Sequence, residues 1–421
     1  MENAYTHEVA NPSSSYKPFI VKHNSLMRHI QDYNFQGKKA LIRVDFNVPI
    51  DEYGHITGTT RIDKALPTIR KVLSDGGSVI LLSHLGRPQQ GDTNSCSLQQ
   101  LVPYFQEALG IDVLFVNDCI GVDAITKAKA LQPGQVLLLE NVRFYAGEEL
   151  GDPVFAQALA ALGDVYINDA FGTIHRQHAS TYTITQYIKD KMGGYLLQEE
   201  INHANKLLSN IQRPFTAMIG GAKISDKIQL MEALLGKLDN LLIGGGVANT
   251  FHQALGGEIG DSLAEPSQHG TALSIFHQAI EKRINIVLPT DVVIADRFNH
   301  RALTDISRGD AVPPKWMAVD IGPHTEETFA SIIRKSKTIL WTGPIGAFEI
   351  PAFNHGTQAM LEAVVKATKK GAFSLIGGGD SATAVEKLGY AKKVSYISTG
   401  GGALLAYLAN PQLAAIRALE E

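Results

Sequence analysis

Arginine and histidine gather in four stretches of the first half of this sequence: Arg43-Val44-Asp45-Phe46-Asn47, Ser83-His84-Leu85-Gly86-Arg87, Glu140-Asn141-Val142-Arg143, and Asp169-Ala170-Phe171-Gly172-Thr173-Ile174-His175-Arg176-Gln177-His178. Arg61 stands between the first two. Guanidinium groups grip phosphate and carboxylate bidentately, so such loops around one crevice would hold a small, multiply anionic ligand. A single arginine is usually just solvated surface; the recurrence is what favours a crevice. His175 and His178 form an H-x-x-H pair, which on a helix would share one face. No third ligand of matching spacing accompanies them, so anion contact or helix packing is expected rather than zinc.

The second half carries glycine where the first carries charge: Gly220-Gly221-Ala222-Lys223, Gly244-Gly245-Gly246, Gly343-Pro344-Ile345-Gly346, Gly377-Gly378-Gly379-Asp380 and Gly400-Gly401-Gly402. Glycine lets backbone approach a ligand closely, and a following helix offers its first N–H groups to phosphate. Tight turns are the bland alternative, but several such loops in one domain favour a nucleotide site. No G-x-x-x-x-G-K-[ST] sequence occurs, which removes the P-loop class. Gly377, Gly379 and Ala382 fit a dinucleotide fingerprint only loosely, since no acidic residue follows about twenty positions on to hold a ribose. Lys223 and Lys227 are expected to open a helix striped by Ile228, Met231, Leu234, Leu235 and Leu238. Two lysines on one face of a helix start repel each other and oppose the helix dipole; a bound polyphosphate would explain them.

The elements that must position these loops read as strands alternating with helices. Apolar runs occur at Ala40–Val44, Ser78–Leu82, Val136–Leu139 and Asp164–Ile167, then at Phe215–Ile219, Asn240–Ile243, Asn285–Leu288, Thr338–Trp341, Ala372–Ile376 and Val394–Ile397. Continuous apolar strands separated by helical segments imply parallel sheets covered on both faces, and there are too many for one simple sheet. The fold class is therefore α/β, with two domains. Leu197, Ile201, Ala204, Leu207 and Leu208 recur at helical spacing before Arg213-Pro214, which suits a helix joining two domains or an ordinary surface helix.

The chain has 421 residues with formal net charge -4, 44% apolar and 19% charged residues. This is the composition of a globular protein, and it argues against nucleic acid or an anionic membrane as the main partner. Two cysteines, Cys96 and Cys119, exclude a disulfide framework or a cysteine-rich zinc site. Residues 1–22 lack the apolar core of a signal peptide and read as a flexible arm; a cytoplasmic protein is expected. The uncharged stretch Val394–Ile416 is broken by Gly400-Gly401-Gly402 and Asn410-Pro411, so it reads as a strand, a turn and a short helix rather than a membrane span.

Nine segments in order then carry a family: RVDFNVP (Arg43–Pro49), SHLGRP (Ser83–Pro88), ENVRF (Glu140–Phe144), DAFG (Asp169–Gly172), GGAKISDK (Gly220–Lys227), GGGVANTF (Gly244–Phe251), WTGPIGAFE (Trp341–Glu349), GGGD (Gly377–Asp380) and STGGG (Ser398–Gly402). Together they resemble phosphoglycerate kinase. The resemblance implies two Rossmann-like domains with parallel sheets flanked by helices, joined by a hinge helix: 23–197 for phosphoglycerate, 198–212 as hinge, 213–402 for nucleotide, and a tail, 403–421, packing back on the first domain. It further implies 3-phosphoglycerate or 1,3-bisphosphoglycerate and ATP or ADP with Mg2+ as ligands, and a cytoplasmic monomer. By the same resemblance Asp45, Phe46, Asn47, Arg61, His84, Leu85, Gly86, Arg87, Arg143, His175 and Arg176 would bind the glycerate. Gly221, Lys223, Lys227, Gly245, Gly322, Glu349, Gly377, Gly378, Gly379, Asp380 and Ser381 would bind nucleotide, with Asp380 at the metal and Arg61, Lys223, Gly379 and Gly402 in catalysis. The chain departs from the family at Thr342, usually asparagine, at Gly58 and Gln177, and in the tail at Ala406, Ala409 and Asn410-Pro411.

Chemistry and resemblance agree on the mechanism. A carboxylate is ionised at neutral pH, so its attack on a phosphoryl group needs no general base. Alignment and charge stabilisation remain, with Arg61 and Lys223 as the expected donors and domain closure to exclude water. Two other classes stay open at this point: a nicotinamide-dependent dehydrogenase, and an inactive binding protein on the same fold.

Overall fold

The Val-, Ile- and Leu-rich runs build two parallel six-stranded sheets in the computed structural model, which describes residues 27–88 and 95–421. The expected arm, 1–22, lies outside the described residues. Across the first sheet the order is Val113–Val116, Val136–Leu139, Ser78–Leu82, Lys39–Val44, Val165–Asp169 and Lys191–Gly193. Across the second it is Asn285–Val287, Asn240–Ile243, Phe215–Ile219, Thr338–Thr342, Phe373–Gly377 and Tyr396–Ile397. Because every strand in a sheet runs the same way, all carboxyl ends, with the arginine loops or the glycine loops, fall on one edge.

Side chains alternate between faces, and the cores follow that alternation. Leu41, Ile80 and Leu82 enter one cluster, while Ala40, Ile42, Val79 and Leu81 enter another on the opposite face. The first of these clusters continues into the second sheet through Phe215, Ala217 and Leu241. It is bridged by Leu197, Ile201 and Leu207 of the connecting helix Tyr195–Leu208 and by Leu404, Tyr407 and Leu419 near the C-terminus. One continuous apolar body therefore runs beneath both sheets, so the connecting helix is packed rather than free.

The structure departs from the sequence reading in five places. Val113–Val116 and Lys191–Gly193 are additional strands at the two edges of the first sheet; Lys-Met-Gly leaves little apolar signal, whereas Val-Leu-Phe-Val is an apolar run that the sequence reading passed over. A three-stranded antiparallel sheet (Asp291–Ala295, Thr304–Arg308, Met317–Ile321) and a two-stranded one (Glu258–Ile259, Ala311–Val312) were also not expected; most of Thr304–Arg308 is solvated and polar. The connecting helix begins at Tyr195, where Asp169 Oδ1 accepts the Leu197 N–H (3.1 Å), and stops at Leu208, so 209–212 lie beyond it. No helix holds His175 and His178; they follow the single turn Phe171–Thr173. Lys223 and Lys227 likewise share no helix face, because the helix is Ile228–Leu234 and Lys223 lies in the preceding loop.

Candidate active site

Arg61, two residues into the helix Thr60–Ser74, reaches back to the end of the strand Lys39–Val44. Its Nη1 donates to Asp45 (3.1 and 3.2 Å) and to the Asn47 carbonyl (3.0 Å). Burial alone would raise the Asp45 carboxyl, but the Arg61 and Arg43 guanidiniums and the Asn47 N–H hold it below the usual value. Asn47 Oδ1 accepts the Gly86 N–H (2.8 Å), and Arg143 Nη1 donates to the Gly86 carbonyl (2.7 Å). One loop is thereby clamped from two sides, with Arg87 exposed at its tip. Arg176 and His175 approach each other at 3.4 Å, and both are half-buried. Burial and the neighbouring arginines keep His84 well below the ordinary histidine range, and they take His178 to about 4. The site is thus cationic through arginine, with neutral imidazoles.

On the other sheet, a cavity of about 480 Å³ is bounded by Gly221, Gly245, Gly246, Ile345 and Glu349 and floored by Asp320 and Ile321. Gly245 opens the helix Gly245–Ala254 at φ 59, and a side chain there would strike the Gly221 backbone, so glycine is required on both counts. Beside it a cavity of about 380 Å³ is lined by Lys227, Thr342, Gly378, Gly379, Ser381 and Gly402. Two helices, Gly379–Lys387 and Gly402–Ala409, start at its wall, so two sets of unpaired N–H groups face it. Ser381 Oγ is buried without a partner, and Lys227, held down by burial, leans on the Lys223 carbonyl (3.3 Å). A cavity with donors set in place in this way can receive an anion.

A third space of about 880 Å³ joins the halves: Asn47 and Arg61 line it from one side, Gly379, Asp380 and Gly401 from the other. The connection is anchored. Lys64 Nζ donates to the Ile397 carbonyl (2.8 Å), and Glu200 of the connecting helix accepts from Ser398 Oγ (2.7 Å), Thr399 N–H (2.7 Å) and Thr399 Oγ1 (2.8 Å). The arginine loops and the glycine loops therefore face one another across this cleft.

The sequence pattern described as phosphoglycerate kinase matches residues 30–410. A phosphoglycerate kinase of Porphyromonas gingivalis is 48% identical over 93% of this chain and 99% of its own. The chain belongs to the phosphoglycerate kinase family. "Phosphoglycerate kinase 3, cytosolic" of Arabidopsis thaliana is 46% identical, covering 93% and 99%. The structure of phosphoglycerate kinase from Coxiella burnetii superposes with a TM-score of 0.82 at 40% identity over 93% of this chain and 98% of that one. The chain is thus a kinase transferring a phosphoryl group reversibly between 1,3-bisphosphoglycerate and ADP, and the dehydrogenase reading is set aside.

Within this phosphoglycerate kinase fold the expected residues divide by place. Asp45, Asn47, Arg61, Gly86 and Arg143 stand in one hydrogen-bonded group, with His84 Nδ1 3.8 Å from Asp45 Oδ1. Phe46 and Leu85 turn their side chains into the core and offer the crevice only backbone. Gly221, Gly245, Glu349 and Asp380 line the larger nucleotide-side cavity; Lys227, Gly378, Gly379, Asp380, Ser381 and Gly402 line the smaller. Gly377 packs on Leu404, Gly322 on Asp291, and Lys223 is exposed. Four residues in or behind the site were not singled out from sequence: Asp320, Glu148, Ser180 and Glu200. Asp320, whose oxygens accept the Ile321 and Gly356 N–H groups, leaves no room for a side chain at Gly346 or Gly356. Those two glycines were the available signal. Glu148 and Ser180, buried behind the arginines, gave none.

Proposed function

We propose that the glycerate substrate binds at Asp45, Asn47, Arg61, His84, Gly86, Arg87, Arg143, His175 and Arg176, with the backbone of Phe46 and Leu85. The nucleotide base and ribose occupy the larger opposite cavity at Gly221, Gly245 and Glu349, with Gly322 following its lining residue Ile321 and Gly377 preceding Gly378 of the smaller cavity. Its phosphates lie in the smaller cavity between Lys227, Gly378, Gly379, Asp380, Ser381 and the helix starting at Gly402, with Lys223 exposed on the loop beside it and free to turn toward a bound phosphate. The observation that carries this reading is the cleft lined by Arg61 on one side and by Gly379 and Asp380 on the other. The chemistry asks for little more. The carboxylate nucleophile is already ionised, and Arg61 with the helix N-terminal N–H groups supplies charge to the equatorial oxygens in flight.

Magnesium enters as part of the nucleotide substrate. Among the described residues no group of three or more His, Cys, Asp or Glu could hold a metal ion by protein alone. Asp380, a single carboxylate beside a phosphate-sized cavity, suits an ion carried mainly by phosphate oxygens and water. The connecting helix acts as the hinge between a glycerate domain (23–197) and a nucleotide domain (213–402), closing the cleft to exclude water from the acyl phosphate. The tail of 403–421 returns to the first domain, where the helix Ala414–Glu420 meets the strand Lys191–Gly193. Both substrate sites come from one chain, which supports a monomer. No helix among the described residues is long and apolar enough to cross a membrane, and a close relative is named cytosolic, which supports the cytoplasm.

The test is ATP- and magnesium-dependent phosphorylation of 3-phosphoglycerate, coupled to reduction of the acyl phosphate. Arg61→Ala should lower kcat by about 10²–10³ with the fold intact. A variant retaining most of its kcat would overturn the assignment of Arg61.

A further inference from the structure

Behind the arginine loops lies a buried chain of hydrogen bonds with a fixed direction. Arg43, 1% exposed, donates from Nε to Ser180 Oγ (2.7 Å) and from Nη1 to the Val44 carbonyl. Ser180 Oγ spends its one proton on Glu148 Oε1 (2.6 Å), and its backbone N–H goes to Glu148 Oε2 (2.9 Å). Glu148 is fully buried, 3.9 Å from Arg43 Nη2. That leaves Nη2 facing His84 Nδ1 at 3.3 Å. A guanidinium has donors and no acceptor, so Nδ1 must present its lone pair, and the imidazole proton must sit on Nε2. The opposite tautomer would need Asp45 Oδ1 as acceptor. That oxygen is 3.8 Å from Nδ1, beyond hydrogen-bond reach, and Arg61 already engages it.

We infer that Ser180 and Glu148 are positioning residues: by anchoring Arg43 they hold His84 as the neutral Nε2–H tautomer, so that it meets the anionic substrate as a hydrogen-bond donor. The inference rests on the proposed glycerate site for its consequence, not for its geometry. The charged groups facing His84 are Asp45 on one side and Arg43, Arg143 and Arg176 on the other; burial and the three arginines oppose a second proton and outweigh Asp45, which favours it. The arrangement has a functional logic. A protonated His84 would pair with Asp45, whereas a neutral one leaves Asp45 to Arg61. His84 then offers its remaining N–H to the ligand across the acid side of neutrality.

Long-range ¹H–¹⁵N correlation spectra of ¹⁵N-histidine-labelled enzyme test this without substrate, with the His84 signal assigned by its loss in His84→Gln. The Nε2–H pattern is expected, persisting at pH values where exposed histidines become charged. An Nδ1–H pattern, or titration of His84 near 6.5, overturns the proposal. In Ser180→Ala the Arg43 Nε loses its acceptor and the guanidinium can slide onto Glu148. His84 should then gain Nδ1–H character and titrate closer to the ordinary range, while KM for 3-phosphoglycerate rises about 2- to 10-fold with kcat little changed. A folded Ser180→Ala or Glu148→Gln whose His84 signal matches the parent overturns the relay. Should both variants fail to fold, the parent spectrum alone decides the tautomer. If the tautomer is as stated but 3-phosphoglycerate leaves the His84 signal unmoved, the substrate-site assignment fails and the relay stands.

Discussion

Removing the Glu200 carboxylate should disconnect the connecting helix from the phosphate cradle. Glu200 is fully buried and accepts three hydrogen bonds from Ser398 and Thr399, immediately before the Gly400-Gly401-Gly402 turn that starts a cradle helix. Bonds to a charged acceptor contribute about 1.5–3 kcal/mol each. Burial opposes them and pushes the Glu200 carboxyl above its ordinary value. The offset leaves a net loss of about 2–4 kcal/mol for Glu200→Ala, with the Thr399 N–H stranded. Glu200→Gln keeps the shape and the carbonyl facing Thr399, and its amide can donate to Ser398 Oγ, so about 1 kcal/mol is expected. Trp316 and Trp341, both on the nucleotide side, report unfolding in urea by fluorescence. Alongside it, KM for ATP should rise more than KM for 3-phosphoglycerate, because the loosened turn belongs to the nucleotide cavity. An alanine variant within about 0.5 kcal/mol of the parent, with both KM values unchanged, would refute the reasoning.

Burial raises Asp169 to about 7, and its Oδ2 has no hydrogen-bond partner. A carboxyl with a raised folded-state value stabilises the fold below its unfolded value near 4 and loses that contribution as pH climbs through about 7. Asp169→Asn should therefore flatten the pH dependence of urea unfolding between pH 5 and 8, and equal slopes in variant and parent would contradict this. A methyl at Gly172 would sit 2.2 Å from Asp45 Oδ2, itself pinned by Arg61. Gly172→Ala should thus raise KM for 3-phosphoglycerate several-fold while ATP affinity measured by calorimetry holds. Thr342, 1% exposed, lines the phosphate cavity, and Gly378 packs near its hydroxyl. Thr342→Val, of nearly the same shape, should raise KM for ATP by about 2- to 10-fold in the coupled assay; an unchanged KM would remove the hydroxyl from the site.

What could be read from the chain beforehand was what is local along it. The apolar runs predicted every strand of the second sheet, because its inner strands are buried on both faces and stay mostly apolar, and even the exposed edge strand Asn285–Val287 keeps Ile286 and Val287. Thr304–Arg308 and Lys191–Gly193 failed that reading because an edge or solvated strand need not be apolar. The lysine pair misled for a related reason. Spacing in sequence presumes a helix, whereas the turn at Ser225–Lys227 delays the helix to Ile228 and sends Lys223 outward.

The site follows the same division. Arginines and glycines announce themselves, since each needs a ligand or a tight turn near its own position. Their partners do not. Arg43 is held by Ser180, 137 positions away, and the cradle turn by Glu200, 198 and 199 positions away. Neither partner is next to the motif it serves, and neither serine nor glutamate is unusual on an unfolded chain. Only the folded chain shows them to be buried, with their lone pairs and protons fully assigned, and that assignment gives the motifs their protonation and orientation. The arginines and glycines therefore establish which anions the cleft can hold. The long-range buried polar residues determine which atoms of His84 and Thr399 are donors when those anions arrive. That second layer is where substitutions outside the nine segments should still change catalysis.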